Sequence, residues 1–266
     1  MKTRPLGILD SGIGGLTVLH EIHAILPHEP LVYLADSANL PYGSKSEAWI
    51  RDRTLQLAKA LVREQNIKAL VVACNTATAA AATNLRAVLD IPVIGMEPAV
   101  KPASEATRNG VIGILATEGT IKSARLAGLL KAFADGLHVV TQPCPGLVEL
   151  IESSEPDSVE LRQKVGQFLQ PLLLQGADTI VLGCTHYPLL REMIHELVGP
   201  GIRIIDTGAA VARQTLHQLT RYDRLGPPVD KPTIHLFTTG STDTFSGVIQ
   251  RLFPELAAMP VGSITE

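Results

Sequence analysis

The sequence has few of the features that mark secreted, membrane-spanning or nucleic-acid-binding proteins. Only 3 cysteines occur in 266 residues, an odd number too small for a disulfide framework, so free thiols are expected. Charged residues make up 18%, the formal net charge is −3, and no Lys/Arg cluster is present, which argues against a nucleic-acid partner. There is no run of about 18 apolar residues and no apolar segment behind the first charges. We therefore expect a cytoplasmic protein with neither a secretory signal nor a membrane partner.

What the sequence does contain is a regular alternation of short apolar runs and segments of helical periodicity. This alternation predicts an α/β fold made of parallel β-α-β units. The predicted strands lie at residues 6–9, 31–35, 68–73, 91–96, 110–116, 137–141, 178–183, 203–206 and 233–237. The predicted helices lie at residues 15–26, 44–65 (with a capping box at 44–47), 76–89, 120–133, 157–175, 189–198, 208–218 and 242–252.

Two of the cysteines occupy matching places in the two halves of the chain. Cys74 follows the apolar run 71–73, and Cys184 follows the run 181–183. Runs of this kind are typical of strands buried on both faces, and the carboxyl ends of such strands border the crevice where open α/β sheets bind ligands. Because a helix is predicted after each thiol, we expect a lowered thiol pKa. One thiol from each half predicts a pocket between two similar parallel-sheet α/β domains.

Simpler interpretations of these residues exist. A free cysteine is commonly a small, inert core residue, and Cys144, which lies between two prolines, is best interpreted in that way. A metal site or a redox pair is disfavoured, because the chain has no C-x-x-C and no H-x-x-x-H. His186 is close enough to Cys184 in sequence to tune its ionisation. Glu152 has the pattern of a surface helix residue.

The loop of residues 10–15 follows the first strand and opens a helix, a position that favours an anion such as a carboxylate. A dinucleotide site is an alternative, since Asp36 ends the second strand. The G-x-G-x-x-G spacing fails, however, because Thr17 stands at the third glycine position. A tight turn capped by Asp10 is the structural alternative. The polar loop 36–43 follows the second strand at the same edge of the sheet.

Two opposed thiols suit the inversion of a carbon centre. One removes a proton from one face while the other delivers a proton to the opposite face, which a single base cannot do without turning the substrate over. The carbanion needs its carboxylate held by preorganised donors. Such donors are available at Ser11, Asn75, Thr76 and Thr185. This chemistry needs no cofactor, and the sequence has no cofactor-specific motif, although pyridoxal phosphate is not excluded by motif.

Four motifs together resemble those of the bacterial glutamate racemases. In chain order they are Asp10-Ser11-Gly12-Ile13-Gly14-Gly15-Leu16, Pro41-Tyr42-Gly43, Ala73-Cys74-Asn75-Thr76-Ala77 and Gly183-Cys184-Thr185-His186-Tyr187-Pro188. The resemblance implies cofactor-independent interconversion of L- and D-glutamate for peptidoglycan synthesis, without a metal. It also implies a first domain of residues 1–97 and 207–266 and a second of residues 98–206, and it allows a homodimer.

The same resemblance implies roles for single residues. Cys74 would act on D-glutamate with the help of Asp10, and Cys184 on L-glutamate with the help of His186. Glu152 would be the acidic partner of that histidine. The implied substrate contacts are Asp10, Ser11, Pro41, Tyr42, Gly43, Asn75, Thr76, Thr117, Thr120, Thr185 and His186.

Two other functions compete with this hypothesis. The same scaffold can racemise aspartate or another amino acid, which a substrate panel would reveal. A non-catalytic two-domain binding protein would bind carboxylates without exchanging an α-proton. Paired thiols have no purpose in such a binder, which favours the enzyme.

Overall fold

Two separate parallel sheets organise the chain. The computed structural model describes residues 1–228 and 232–264. The first sheet has the strand order β10-β9-β2-β1-β3-β4, and the second has the order β6-β5-β7-β8. The strands are β1 Leu6–Asp10, β2 Leu31–Ala35, β3 Ala69–Val72, β4 Val93–Gly95, β5 Val111–Ala116, β6 His138–Pro143, β7 Thr179–Leu182, β8 Arg203–Ile205, β9 Ile234–Thr238 and β10 Val261–Ser263.

Helices cover both faces of each sheet, so that four apolar layers form the core. The helices are α1 Leu16–Ile25, α2 Glu47–Gln65, α3 Asn75–Val88, α4 Val100–Ala106, α5 Glu118–Ile121, α6 Ala124–Phe133, α7 Leu147–Ser153, α8 Val159–Leu174, α9 Arg191–Val198, α10 Gly208–Arg221 and α11 Thr242–Leu252. None of these helices, within the described residues, is long and apolar enough to cross a membrane.

The predicted fold class is confirmed, and burial explains why the strands were recognisable. Every residue of β1, β2, β3 and β7 is buried. A strand covered by helices on both faces needs an unbroken apolar run rather than alternation, and such runs are what the sequence shows.

The chain crosses between the two sheets twice. It leaves the first sheet after β4 and returns after β8, and α10 then packs against α1. The last two strands, β9 and β10, extend the first sheet beyond β2. The first sheet therefore contains strands from both ends of the chain. The predicted domain boundaries at residues 97 and 207 remain a prediction, and residues 229–231 and 265–266 lie outside the described range.

Local signals explain where the predicted helices were wrong. The helix predicted over 120–133 is two helices, α5 and α6, because Thr117 and Ser123 each accept a backbone N–H as an N-cap. The capping box predicted at 44–47 does not form; Ser46 caps α2 by accepting from the backbone of Trp49 at 3.3 Å. Helix α4 was not predicted; its Pro102 lies in the first helical turn, where proline is tolerated.

A buried ion pair lies at the amino-terminal edge of the first sheet, opposite the strand ends that carry the predicted site. The ammonium of Lys68 donates to Glu29, and both side chains are almost fully buried. The backbone N–H of Gly226 donates to the other oxygen of Glu29 at 2.7 Å, and Lys68 also donates to the carbonyl of Lys2. The pair therefore joins the amino-terminal segment and the segment after α10 to this edge of the sheet.

We expect Glu29→Gln to lower the free energy of unfolding by about 3 kcal/mol, because the ammonium of Lys68 is left buried without its counter-charge. Urea denaturation measures this change. Asp223→Asn is the matched control: it breaks the Lys2–Asp223 pair, whose side chains are 49% and 86% exposed, and should cost at most about 0.5 kcal/mol. Equal losses in the two variants would contradict this account.

Candidate active site

Both strand-end cysteines line a single cavity between the sheets. Cys74 follows β3 in the first sheet, and Cys184 follows β7 in the second, so each thiol lies at the carboxyl end of a central strand. The cavity is lined by Ser11, Pro41, Tyr42, Gly43, Cys74, Asn75, Thr76, Thr117, Val148, Gly183, Cys184, Thr185 and His186. Its open volume is only about 10 Å³, room for about one water molecule. The cleft is closed in this structure.

Most of the predicted contact residues reach this cavity directly. Asp10 and Thr120 are the exceptions and stand immediately behind it, where Asp10 contacts Thr185 and Thr120 contacts Thr76. Sequence reasoning missed Val148 and Gly183 as lining residues. Gly183 ends the apolar run before the second thiol, so its place next to Cys184 could have indicated it, whereas Val148 carries no chemical signal.

Asp10 stands behind the cavity and closes the turn after β1. Its Oδ2 accepts the backbone N–H of Gly15 at 2.6 Å, and the hydroxyl of Thr185, from the second half, lies 3.4 Å away. The predicted Asp10-capped turn is therefore present, and it coexists with a place in the site. Burial raises the pKa of Asp10 to about 6, even though the positive charge of His186 opposes the shift. This carboxyl titrates near neutral pH.

The surroundings of Cys74 reverse one prediction. Its Sγ does cap α3, accepting the backbone N–H of Ala77 at 3.3 Å. Burial nevertheless raises the pKa of the Cys74 thiol well above its usual range, and the charge of Asp10 adds to the increase. The predicted lowering by the helix N-terminus was wrong because desolvation of a buried thiolate outweighs one N–H bond. The hydroxyl of Ser11 lies 3.8 Å from the Sγ of Cys74 and 3.5 Å from the Oδ1 of Asp10, between the two groups.

Cys184, His186 and Glu152 form a linear array on the other side of the cavity. The Nδ1 of His186 lies 3.9 Å from the Sγ of Cys184, and its Nε2 lies 2.7 Å from the Oε1 of Glu152. Burial alone would lower the pKa of His186, but its interactions with the thiol and the carboxylate raise it well above the usual value. The same contact with His186 lowers the pKa of Glu152, although burial opposes the shift. The imidazole is therefore held as a cation between two acidic groups.

Glu152 also joins the two halves of the molecule. Its Oε1 accepts the backbone N–H of Ile13 at 2.9 Å, across the cleft from its own helix α7. Its side chain is only 13% exposed, so the surface position that the sequence pattern indicated was wrong. The helical pattern shows which side of its own helix a residue lies on. It gives no information on whether a loop from the other sheet packs over that side.

The glycines of the first loop are explained by this close approach. A Cβ on Gly12 would lie 2.5 Å from the Oε1 of Glu152, and one on Gly14 would lie 2.4 Å from the Nδ1 of His186. Glycine is required there because the second half of the protein packs against the loop. The dinucleotide alternative also loses its acidic residue, since both oxygens of Asp36 accept hydrogen bonds from the guanidinium of Arg53.

Polar groups without partners point to a ligand in the cavity. Neither the Oδ1 nor the Nδ2 of Asn75 has a hydrogen-bond partner within the described part of the chain, although the residue is only 4% exposed. A buried orphan amide costs about 1–3 kcal/mol, which a bound polar molecule would recover. Beside it, the hydroxyls of Thr76, Thr117 and Thr120 lie within 2.9 to 3.1 Å of one another. This wall offers donors and acceptors suited to a carboxylate.

The third cysteine stands apart from this chemistry. Cys144 does not line the cavity, and its Sγ lies 3.5 Å from the carbonyl of Gln142, to which it donates. Burial raises its pKa to about 12. It is an uncharged core thiol beside β6.

Comparison with known proteins agrees with this site. A profile described as Asp/Glu/Hydantoin racemase matches residues 14–215. The chain belongs to this racemase family. A "Glutamate racemase" of Pseudomonas entomophila is 50% identical to the racemase over 253 residues, 95% of each chain. The chain is therefore an enzyme of the isomerase class.

Solved structures of the family have the same fold as this racemase. A glutamate racemase isoform of Bacillus anthracis superposes with a TM-score of 0.89 at 35% identity, covering 100% of this chain and 98% of that one. The Escherichia coli glutamate racemase, solved in complex with L-glutamate and the activator UDP-MurNAc-ala, gives 0.85 at 34% identity, covering 98% of this chain and 97% of that one. The likeness extends over both sheets.

The buried carboxyl of Asp10 predicts a pH-dependent stability. Its pKa is about 6 in the folded racemase and 3.8 in an exposed aspartate, so the folded state binds the proton more tightly. Stability is therefore lost as pH rises from about 4 to 6, and the cost above pH 6 is about 3 kcal/mol. We expect Asp10→Asn to unfold at higher urea concentration than the wild type at pH 8 and at the same concentration near pH 3.5. A variant less stable than the wild type at pH 8 would contradict this expectation.

Proposed function

We propose that this racemase interconverts L- and D-glutamate, with Cys74 and Cys184 as the two acid/base groups and without a cofactor. The observation that carries the proposal is the placement of one thiol from each sheet in one closed cavity. The choice of glutamate is supported by relatives of that name at about 50% identity over nearly the whole chain and by the L-glutamate complex of the E. coli protein.

The electrostatics of the two sides suit opposite proton-transfer roles. On the Cys184 side, the Nδ1 of the imidazole of His186, whose pKa is raised, lies 3.9 Å from the Sγ and places positive charge beside the sulfur that accepts the α-proton of L-glutamate. On the Cys74 side, burial and Asp10 favour the neutral thiol, which is the form able to donate one. This arrangement suits Cys184 as the base that acts on L-glutamate and Cys74 as the acid.

The conversion of L- to D-glutamate then takes two proton transfers. The thiolate of Cys184 takes the α-proton, and the C–H bonding pair stays on the α-carbon as a carbanion. The thiol of Cys74 donates its proton to the opposite face, leaving D-glutamate, a neutral Cys184 and a Cys74 thiolate. In the reverse direction, the Cys74 thiolate takes the proton. The starting state returns when the cleft reopens and the product leaves: Cys184 gives its proton to water, and Cys74 takes one from water, relayed by Asp10 and the hydroxyl of Ser11.

The carbanion requires a cavity that supplies hydrogen bonds and excludes water. Asn75 and the hydroxyls of Thr76 and Thr185 line the space beside the thiols, and the amide of Asn75 is free to bind a carboxylate. Preorganised donors of this kind stabilise developing charge without reorganisation at the moment of reaction. Because the cavity holds about one water molecule, the two sheets must separate for glutamate to enter and then close around it.

We expect Cys74→Ser and Cys184→Ser each to reduce racemisation by at least about 1000-fold in both directions, because a serine hydroxyl is a far weaker acid than a thiol. Circular dichroism of L- or D-glutamate solutions measures the rate. Cys144→Ser is the matched control and should retain wild-type turnover, since that thiol does not line the cavity. In D₂O, the first product molecules should carry deuterium at the α-carbon while unreacted substrate does not. Full activity of either variant at position 74 or 184 would refute the two-thiol assignment.

We propose further that the D-glutamate formed supplies peptidoglycan synthesis in the cytoplasm. Glutamate is the small-molecule partner in this proposal. A homodimer stays a prediction from the resemblance. Expressed in a bacterium that requires added D-glutamate, the wild-type chain should restore growth without it. The Cys184→Ser variant should not restore growth. Failure of the wild-type chain, at confirmed expression and in vitro activity, would separate the physiological proposal from the catalytic one.

A further inference from the structure

A second buried ion pair lies in the first half of the molecule, at the edge of the sheet that faces the cavity. Asp36 is fully buried at the end of β2, and the guanidinium of Arg53, on α2, is 7% exposed. The pairing is bidentate, with Nε 2.9 Å from Oδ2 and Nη2 2.7 Å from Oδ1. Bidentate pairs of this kind fix orientation as well as charge.

Three further side chains converge on the same carboxylate. The hydroxyl of Tyr42 donates to Oδ2 at 2.7 Å, that of Thr239 donates to Oδ1 at 2.6 Å, and the amide of Asn39 donates to Oδ1 at 3.1 Å. Burial would raise the pKa of Asp36, but these donors, led by Arg53, lower it. Five hydrogen bonds from four side chains therefore surround this buried anion.

Of these donors, Tyr42 is the one that touches the catalytic cavity. It lies with Pro41 and Gly43 along one wall, while its hydroxyl is turned away to Asp36 and its ring stands edge-on against Trp49 at 5.6 Å. On its other side this wall packs closely against the second half of the protein, because a Cβ on Gly43 would lie 2.8 Å from the Cβ of Thr117. Tyr42 and Gly43 therefore lie between the carboxylate of Asp36 and the second half of the protein.

We propose that Asp36 and Arg53 are positioning residues, which set the wall formed by Pro41, Tyr42 and Gly43 and thereby determine the affinity for the substrate. The proposal rests on the proposed glutamate racemisation. Neither residue reaches the reacting atoms. Their effect passes through the hydroxyl of Tyr42, and it should be felt by both enantiomers alike, since the wall belongs to neither thiol.

Asp36→Asn is the direct test, because it keeps the shape but removes the charge and turns an NH₂ group toward the donors. We expect the KM for L- and for D-glutamate to rise about tenfold, with kcat falling less than about threefold in both directions. In a Cys74→Ser/Cys184→Ser background, the Kd of D-glutamate measured by titration calorimetry should rise by the same factor. Tyr42→Phe, which deletes only the linking hydroxyl, should raise KM about threefold.

The buried pair of Lys68 and Glu29 provides the matched control. Glu29→Gln breaks an ion pair of similar burial at the far edge of the same sheet, so it should lower the unfolding midpoint while leaving KM unchanged. An Asp36→Asn variant that loses stability with an unchanged KM would reduce the Asp36 pair to a purely structural role and overturn the proposal. If that variant does not fold, an unchanged KM in Tyr42→Phe overturns it as well. Absence of turnover in the wild type would instead refute the proposed racemisation.

Discussion

The structure depends on one constraint, the face-to-face approach of the carboxyl edges of two parallel sheets. At the closest point the carboxylate of Glu152 accepts the backbone N–H of Ile13 at 2.9 Å. A side chain at position 12 or 14 would collide with Glu152 or His186, which is why both positions are glycine. Each half of the protein contributes a contact to the residues around the other half's thiol. Thr185, from the second half, contacts Asp10 at 3.4 Å, while Ile13, from the first, orients Glu152. Each sheet alone would carry a thiol with an incomplete set of supporting groups.

The two thiols share a cavity but experience different electrostatics. On one side, burial and a carboxyl of raised pKa favour the protonated sulfur of Cys74. On the other, a histidine whose pKa is raised by its contacts with Cys184 and Glu152 places positive charge 3.9 Å from the sulfur of Cys184. A reaction that removes a proton from one face and adds one to the other needs this difference. If both sulfurs were in one protonation state, the site would lack either the base or the acid, and the inversion would be completed in neither direction.

The parts of the fold that were predictable are those encoded over a few consecutive residues. The buried runs of β1 and β2 and the helix α11, at 242–252, were placed from periodicity alone. The division of the 120–133 segment was also encoded locally, by Thr117 and Ser123 as N-caps, although an apolar pattern that continues through both helices concealed it. Which sheet the last strands join depends on packing over more than 190 residues, and β9 pairs with β2. Periodicity carries no information on that choice.

By itself, the sequence determined the α/β class and the presence of two thiols at matching strand ends, because apolar runs and the residues that follow them are local features. The tertiary structure alone decided the properties of those thiols. The pKa of Cys74 is raised, against the local expectation, because desolvation is set by everything that surrounds the sulfur. Glu152 reaches His186 and the loop of Ile13 through tertiary contacts as well, since these partners are 34 and 139 residues away along the chain. The contact with His186 forms within the second half of the protein, and the contact with Ile13 exists only once the two sheets have met.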